Sequence, residues 1–187
     1  MIRPVFIIIL FTLIFSACIK TEPVSPIPEI EFISYDLQEA WDTLGNPLII
    51  GRVEFSFIDG DADFGLEYQW VDSTGWDERN YNVFFKPYEK IDSLYFRIPD
   101  DTVGKEFPNY NPPPYYKVWR DTPLDRVGQN KTVKGFIRIN MQFYEIPDYD
   151  TIRYDFYITD RAGNKSNVES TSDIGFKGIE LPSRGGI

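Results

Sequence analysis

The stretch PLIIGRVEFSFID, residues 47–59, alternates Val53, Phe55 and Phe57 with Arg52, Glu54 and Ser56. A period of two puts the apolar side chains on one face and the polar ones on the other, as a half-buried strand requires and an amphipathic helix does not. The same period runs through TIRYDFYITD, residues 151–160, with Ile152, Tyr154, Phe156 and Ile158 on one face. It also runs through KTVKGFIRINMQFYE, 131–145, by way of Phe136, Ile137, Ile139, Met141 and Phe143. In EIEFISYDL, 29–37, it passes through Ile30, Phe32 and, less cleanly, Ser34. YNVFFKPY and DSLYFRIP predict a hairpin around EKID, and a last strand is expected from about 166 to 176. No stretch sustains a 3.6-residue apolar period, and DLQEAWDTL, 36–44, is the one short segment that reads as helix or loop. Aromatic residues make up 17% of the chain, which favours strands. About seven strands with turn residues between them predict an all-β fold, an antiparallel β-sandwich over 29–180 followed by a flexible tail, 181–187.

The chain begins differently. Residues 5–15 are an uninterrupted apolar run behind Arg3, and Ser16 and Ala17 precede the single cysteine, Cys18. A membrane-spanning helix needs roughly 20 apolar residues, whereas a secretory signal needs a basic start, a shorter apolar run and small residues at its cleavage site. Residues 1–17 are therefore expected to be a signal peptide; the alternative is a buried first element of the core. Phe15-Ser16-Ala17-Cys18 resembles the lipobox of bacterial lipoproteins, with Phe where Leu is commoner. The resemblance implies a diacylglyceryl group on the Cys18 sulfur, cleavage just before it, and a lipid anchor in the outer membrane of the cell envelope. Physical chemistry agrees: a lone exported cysteine has no internal disulfide partner, and two or more acyl chains anchor a protein stably. Residues 18–28 carry Pro23, Pro26 and Pro28 and read as an extended tether. At about 3.1 Å per residue it spans roughly 30 Å.

Charge and composition restrict the function. The net charge is −10, and about −11 once Arg3 leaves with the signal. Such a surface argues against nucleic acid and is compatible with cation binding. There is no histidine, so Ser–His–Asp and Cys–His catalysis is excluded and the commonest zinc ligand is missing. A carboxylate-based glycoside hydrolase would need two acids about 5–9 Å apart in a cleft. A sandwich of this size without a cleft-forming insertion speaks against one. The expectation is a non-catalytic binding or structural module, with an envelope protein or a glycan as partner.

Between 99 and 128 the alternation fails, and EFPNYNPPPYYKVW sets prolines among Tyr110, Tyr115, Tyr116 and Trp119. Consecutive prolines do not occupy a central strand, and long loops are often functional. Two readings stand: a cover that packs its aromatics on a sheet edge, or an aromatic platform for a sugar or peptide in a glycan-binding accessory lipoprotein.

TDRAGNKSN, 159–167, resembles the last hairpin turn of bacterial immunoglobulin-like and fibronectin III-like domains, with Asp160, Gly163 and Asn164 as turn residues. The resemblance implies an immunoglobulin-like sandwich. DGDADFG, 59–65, sets Asp59, Asp61 and Asp63 at alternate positions. Carboxylates so spaced turn their oxygens to one centre when the backbone loops, and calcium takes 6–8 oxygen ligands. The loop is not an EF-hand, because Phe64 stands where that loop needs Gly and Trp70 where it needs Glu. It resembles an Asp-Gly-Asp-Gly-Asp-Ile-Gly turn of uncharacterised Bacteroidota lipoproteins, which also continue into a hairpin like that at Tyr88–Lys90. In an immunoglobulin-like Greek key the loop after the second strand and the loop before the last strand share one end, so Asp160 is expected near the three aspartates. Ca2+ with Glu67 or Asp160 as outer ligands is one reading; a solvated turn is the other.

Finally, Asp followed by Ser or Thr and then an aliphatic residue or Thr recurs at Thr43, Ser73, Ser93, Thr102 and Thr151. The triplet resembles the O-glycosylation acceptor of exported Bacteroidota proteins. Turn chemistry followed by the start of a strand produces the same pattern.

Overall fold

The computed structural model describes residues 24–66, 78–99, 113–119 and 131–183. The described chain is an all-β, immunoglobulin-like antiparallel sandwich. One sheet has the order β1 (Glu29–Trp41), β2 (Pro47–Asp59), β6 (Val133–Phe143). The other is centred on β3 (Val83–Ile91) paired with β7 (Thr151–Ile158). The free edge of β3 is shared by β4 (Leu94–Arg97) and β5 (Tyr115–Tyr116). The free edge of β7 is shared by β8 (Glu169–Ser170) and β9 (Ile174–Gly175). The chain crosses between the sheets after β2, returns at β6 and crosses again to β7, which is the Greek-key path of this architecture.

The period of two decides the core. Val53 and Phe55 from β2, Ile139, Met141 and Phe143 from β6, and Ile152, Tyr154, Phe156 and Ile158 from β7 are all buried. Phe156 lies 5.1 Å from Phe55 and 5.3 Å from Phe85 between ring centroids, so one aromatic cluster joins the two sheets. Burying each such ring contributes about 1.5–3 kcal/mol. Pro87 sits within β3 without breaking it. Its carbonyl accepts from Ile98 N–H at 3.0 Å, so the side lacking an N–H faces the outer edge and not β7.

Four expectations change. Residues 36–41 are strand, not helix: β1 runs on to Trp41 because β2 supplies a continuous antiparallel ladder, Trp41↔Pro47 to Asp36↔Arg52. The segment then turns at Asp42, whose Oδ1 accepts from Leu44 N–H and Asn46 N–H at 2.9 and 2.8 Å. A β-bulge between Phe32 and Ser34 shifts the register, so Tyr35 and Leu37, not Ser34, pack on the core. The expected last strand divides into β8 and β9. Between them Thr171 turns inward; its N–H donates to Tyr154 O and its Oγ1 accepts from Tyr154 N–H. Phe136 faces outward, 71% exposed, because the core register of β6 is carried by Ile137, Ile139, Met141 and Phe143.

Both ends of the described region lie on the sandwich. Pro28 is fully buried, and Leu181 packs against the core. Among the described residues no helix is long and apolar enough to cross a membrane.

Candidate functional site

Four segments meet at one end of the sandwich: residues 24–28, the loop 59–66, the segment 113–119 and the turn 159–165. Strand ends bring them there. Asp59 closes β2 and pairs with Val133 at the start of β6, while Ile58 pairs with Glu29 at the start of β1.

Residues 59–65 fold back on themselves. Ala62 adopts φ 60°, and Gly65 φ 102°, so the backbone curls within a few residues. Phe64 anchors the loop by packing on Phe57, ring centroids 5.0 Å apart. That contact explains the aromatic where a calcium-binding EF-hand loop has glycine. Phe64 N–H donates to Asp59 Oδ2 at 2.8 Å. Asp59 is wholly buried, and its Oδ1 has no hydrogen-bond partner among the described residues. Asp61 is exposed. Asp63 Oδ2 accepts from Ala162 N–H at 3.0 Å, and its buried Oδ1 has no partner among the described residues. One carboxylate oxygen from each of Asp59, Asp61 and Asp63 lies within 4.8 Å of the other two.

The expected neighbourhood with the turn before the last strands is present. Arg161 donates from Nε to the Asp63 carbonyl at 2.8 Å, and from its N–H at 3.4 Å. Asp160 is buried, and its two carboxylate oxygens accept from Asn164 N–H at 2.7 Å and Asn164 Nδ2 at 2.8 Å. Burial pushes the Asp59 carboxyl up to about 6; the Phe64 N–H opposes this, and a hydrogen bond with the Asp61 carboxyl and the charges of Asp61 and Asp63 add to it. Burial also raises Asp63, with Asp160 and then Asp61 contributing. Like charges gathered out of water disfavour one another.

The aromatic segment packs beside this loop. Leu66 N–H donates to Val118 O at 2.9 Å, and Leu66 bridges to Trp119 in parallel. Asn82 holds the segment from the other side. Its Oδ1 accepts from Val118 N–H at 2.7 Å, and its Nδ2 donates to Val118 O at 3.0 Å. Tyr116 turns inward, its ring edge-on to Phe85 at 5.6 Å. Tyr115 lies 4.3 Å from Tyr81 at an interplanar angle of 59°, and Lys117 Nζ lies 5.0 Å from the Tyr81 ring and 5.9 Å from Trp119. Tyr115 and Tyr116 pair with Phe84 and Val83 at the β3 edge.

Of the hydroxyls in Asp-Ser/Thr triplets, Thr43 and Ser93 are exposed at hairpin turns, and Thr151 is half-buried at the start of β7, paired with Gly175. Residues 1–17, Cys18, Glu67, Trp70, Ser73, Thr102 and Tyr110 lie outside the described residues.

Three features escaped the sequence reading. Gly60 N–H donates to Ser25 O at 2.9 Å, so the expected tether is fastened to the acidic loop. Asn167 joins the last turn to β1 through Ile30. An open groove of about 670 Å³ is lined by Glu29, Glu31, Lys134, Phe136, Asn167 and Glu169. For the groove a signal existed: Phe136 is out of step with Ile137 and Ile139.

Fold and site together define a β-sandwich module with an acidic loop at the end where the chain comes in. No protein-family model, curated protein or solved structure matches the chain.

Proposed function

We propose that the chain is an exported, lipid-anchored module of the cell envelope, held to the outer membrane through Cys18, that works by binding or structural contact and not by catalysis. The observation that carries this reading is an order of residues: Arg3, the apolar run 5–15, then Ser16-Ala17-Cys18, then the proline-rich segment that leads into β1. Each part has a physical task in export and anchoring, and the parts follow at the spacing those tasks require. The β-sandwich supports the reading as a compact body that a short tether can present near a membrane. Its loop end, where residues 24–28 join it, is then the end nearer the membrane. The partner is an envelope protein or a glycan.

Metabolic labelling with a clickable fatty acid tests the anchor. The unmodified chain should be labelled and should fractionate with membranes, and Cys18→Ser should lose both properties. Equal labelling of the two chains would overturn the reading.

A further inference from the structure

We infer that Asp59, Asp61 and Asp63 form a binding site for one calcium ion, which locks the acidic loop between the incoming chain and the turn at 159–165. The inference stands on the loop's geometry and does not depend on the lipid anchor.

Three observations converge. First, an oxygen from each aspartate lies within 4.8 Å of the others. Ligands on opposite sides of a calcium ion, at 2.3–2.6 Å each, are about 5 Å apart. Three oxygens this close together can share one calcium shell. Magnesium demands a near-octahedral shell at about 2.0–2.1 Å and gives up water reluctantly, so a flexible cluster of protein oxygens suits calcium better.

Second, two of the three aspartates keep a buried oxygen that no donor satisfies among the described residues. Asp59 is 0% exposed, and its Oδ1 has no hydrogen-bond partner among the described residues. The Asp63 Oδ1 is buried in the same condition. A buried, ionised carboxylate oxygen without a donor is costly, and native structures rarely leave one so. The adjacent turn shows the contrast: both oxygens of Asp160 are satisfied by Asn164. Where this fold needs a carboxylate for turn structure, it supplies donors. Among the described residues it supplies Asp59 and Asp63 with one backbone donor each and leaves the second oxygen bare.

Third, the ligand set suits the ion. All three side chains are hard oxygen donors, and among the described residues no nitrogen or sulfur ligand that would favour zinc joins the cluster. Exposed Asp61 gives the ion a way in from solvent and leaves room for water in the remaining coordination positions.

The consequence is mechanical. Gly60 is tied to Ser25, and Asp63 is tied to Arg161 and Ala162. An ion that draws Asp59, Asp61 and Asp63 together stiffens both junctions at once and orients the sandwich on its incoming segment.

The test uses the full chain, purified in detergent after chelator treatment, with calcium chloride as the only added ligand. Equilibrium dialysis with radioactive calcium should show one ion per chain, with a dissociation constant of about 10⁻⁴ to 10⁻³ M. At ten times that constant the melting temperature should rise by about 3–6 °C. Magnesium at the same concentration should give a smaller rise. Asp61→Asn, at an exposed position, should fold and lose calcium affinity at least about tenfold, as deletion of a charged ligand does. Asp59→Asn should lose the calcium response yet melt no lower than the unmodified chain in chelator, because it removes a buried charge that the ion otherwise offsets. No retained calcium, together with identical melting with calcium and chelator, would overturn the inference. Unchanged affinity in Asp61→Asn would also overturn it, and an equal response to magnesium would overturn the choice of calcium.

Discussion

Asn167 hydrogen-bonds both main-chain groups of Ile30, 137 residues away in sequence: Ile30 N–H donates to its Oδ1 at 2.8 Å, and its Nδ2 donates to Ile30 O at 2.8 Å. The asparagine side chain stands in for a strand neighbour. It joins β1 of one sheet to the segment that leads into β8 of the other. Ile30 is buried, so both of its peptide groups lose their partner if the amide is removed. Leaving buried peptide groups unsatisfied costs about 1–3 kcal/mol each, less where water can reach them. Asn167→Ala should therefore lower stability by about 2–4 kcal/mol, and Asn167→Asp, which keeps only the acceptor, should fall between. Urea unfolding checks this. An Asn167→Ala midpoint equal to that of the unmodified chain would mean that the sandwich closes without the bridge.

Gly60 touches the incoming chain so closely that no side chain fits. A Cβ there would lie 2.2 Å from Ser25 O and 2.4 Å from Val24 O, both backbone atoms. Gly60→Ala must push the 24–28 segment away, breaking the Ser25–Gly60 hydrogen bond or straining the loop. Overpacking of this kind costs about 1–3 kcal/mol. Gly175→Ala is the matched control, because nothing lies within 4 Å of its Cβ position. Thermal melts should show a fall for the first and little change for the second. Similar melts for both would detach the incoming segment from the stability of the sandwich.

Tyr35 carries a buried hydroxyl with no hydrogen-bond partner among the described residues, set over Gly51 where an added Cβ would collide with it. Burial holds this phenol far above its ordinary pKa, with the neighbouring Tyr154 adding to the effect. Removing a buried polar group that makes no bond removes only a desolvation cost. Tyr35→Phe should be as stable as the unmodified chain or more stable by about 1 kcal/mol. Gly51→Ala should be strongly destabilised, because its Cβ would also press on the buried Phe143 ring. A clear loss in Tyr35→Phe would reveal a partner for the hydroxyl.

Asp173 ties β9 to the β3–β4 hairpin. Its carboxylate pairs with Lys90 Nζ and accepts from Tyr95 Oη at 2.7 Å. The Lys90 hydrogen bond, then that of Tyr95, holds its carboxyl below the ordinary value of 3.8. A carboxyl whose folded pKa is depressed stabilises the fold above its unfolded value and loses that contribution as pH falls through the folded one. Asp173→Asn should thus be less stable than the unmodified chain at pH 7. The difference should shrink below about pH 4 and vanish in stronger acid. Because the pair is largely solvated, the effect is small and screened by salt. A difference that stays constant down to pH 2 would assign the loss to packing and not to charge.

The period of two in residues 47–59 and 151–160 was enough to determine strands, their inward faces and an all-β sandwich, because side-chain alternation is a property of the local backbone. Val53, Phe55, Ile152, Tyr154, Phe156 and Ile158 could be placed before any partner was known. The hairpin at 83–97 and the meeting of Asp63 with the turn at 159–165 were likewise legible, the first from turn residues and the second from Greek-key topology. Tertiary structure decided what depends on a distant partner. Residues 36–41 are strand only because β2 offers a ladder, and a segment that short cannot hold a helix alone. The bulge at Ile33 and the outward turn of Phe136 are register choices made between strands, invisible in either strand by itself. The fate of the four aspartates at the loop end follows the same logic. Their spacing in DGDADFG and TDRAGN was plain, but Asn164 satisfies Asp160 while Asp59 is buried with one oxygen bare. Which carboxylate receives a donor depends on which backbone amides the folded chain brings within reach.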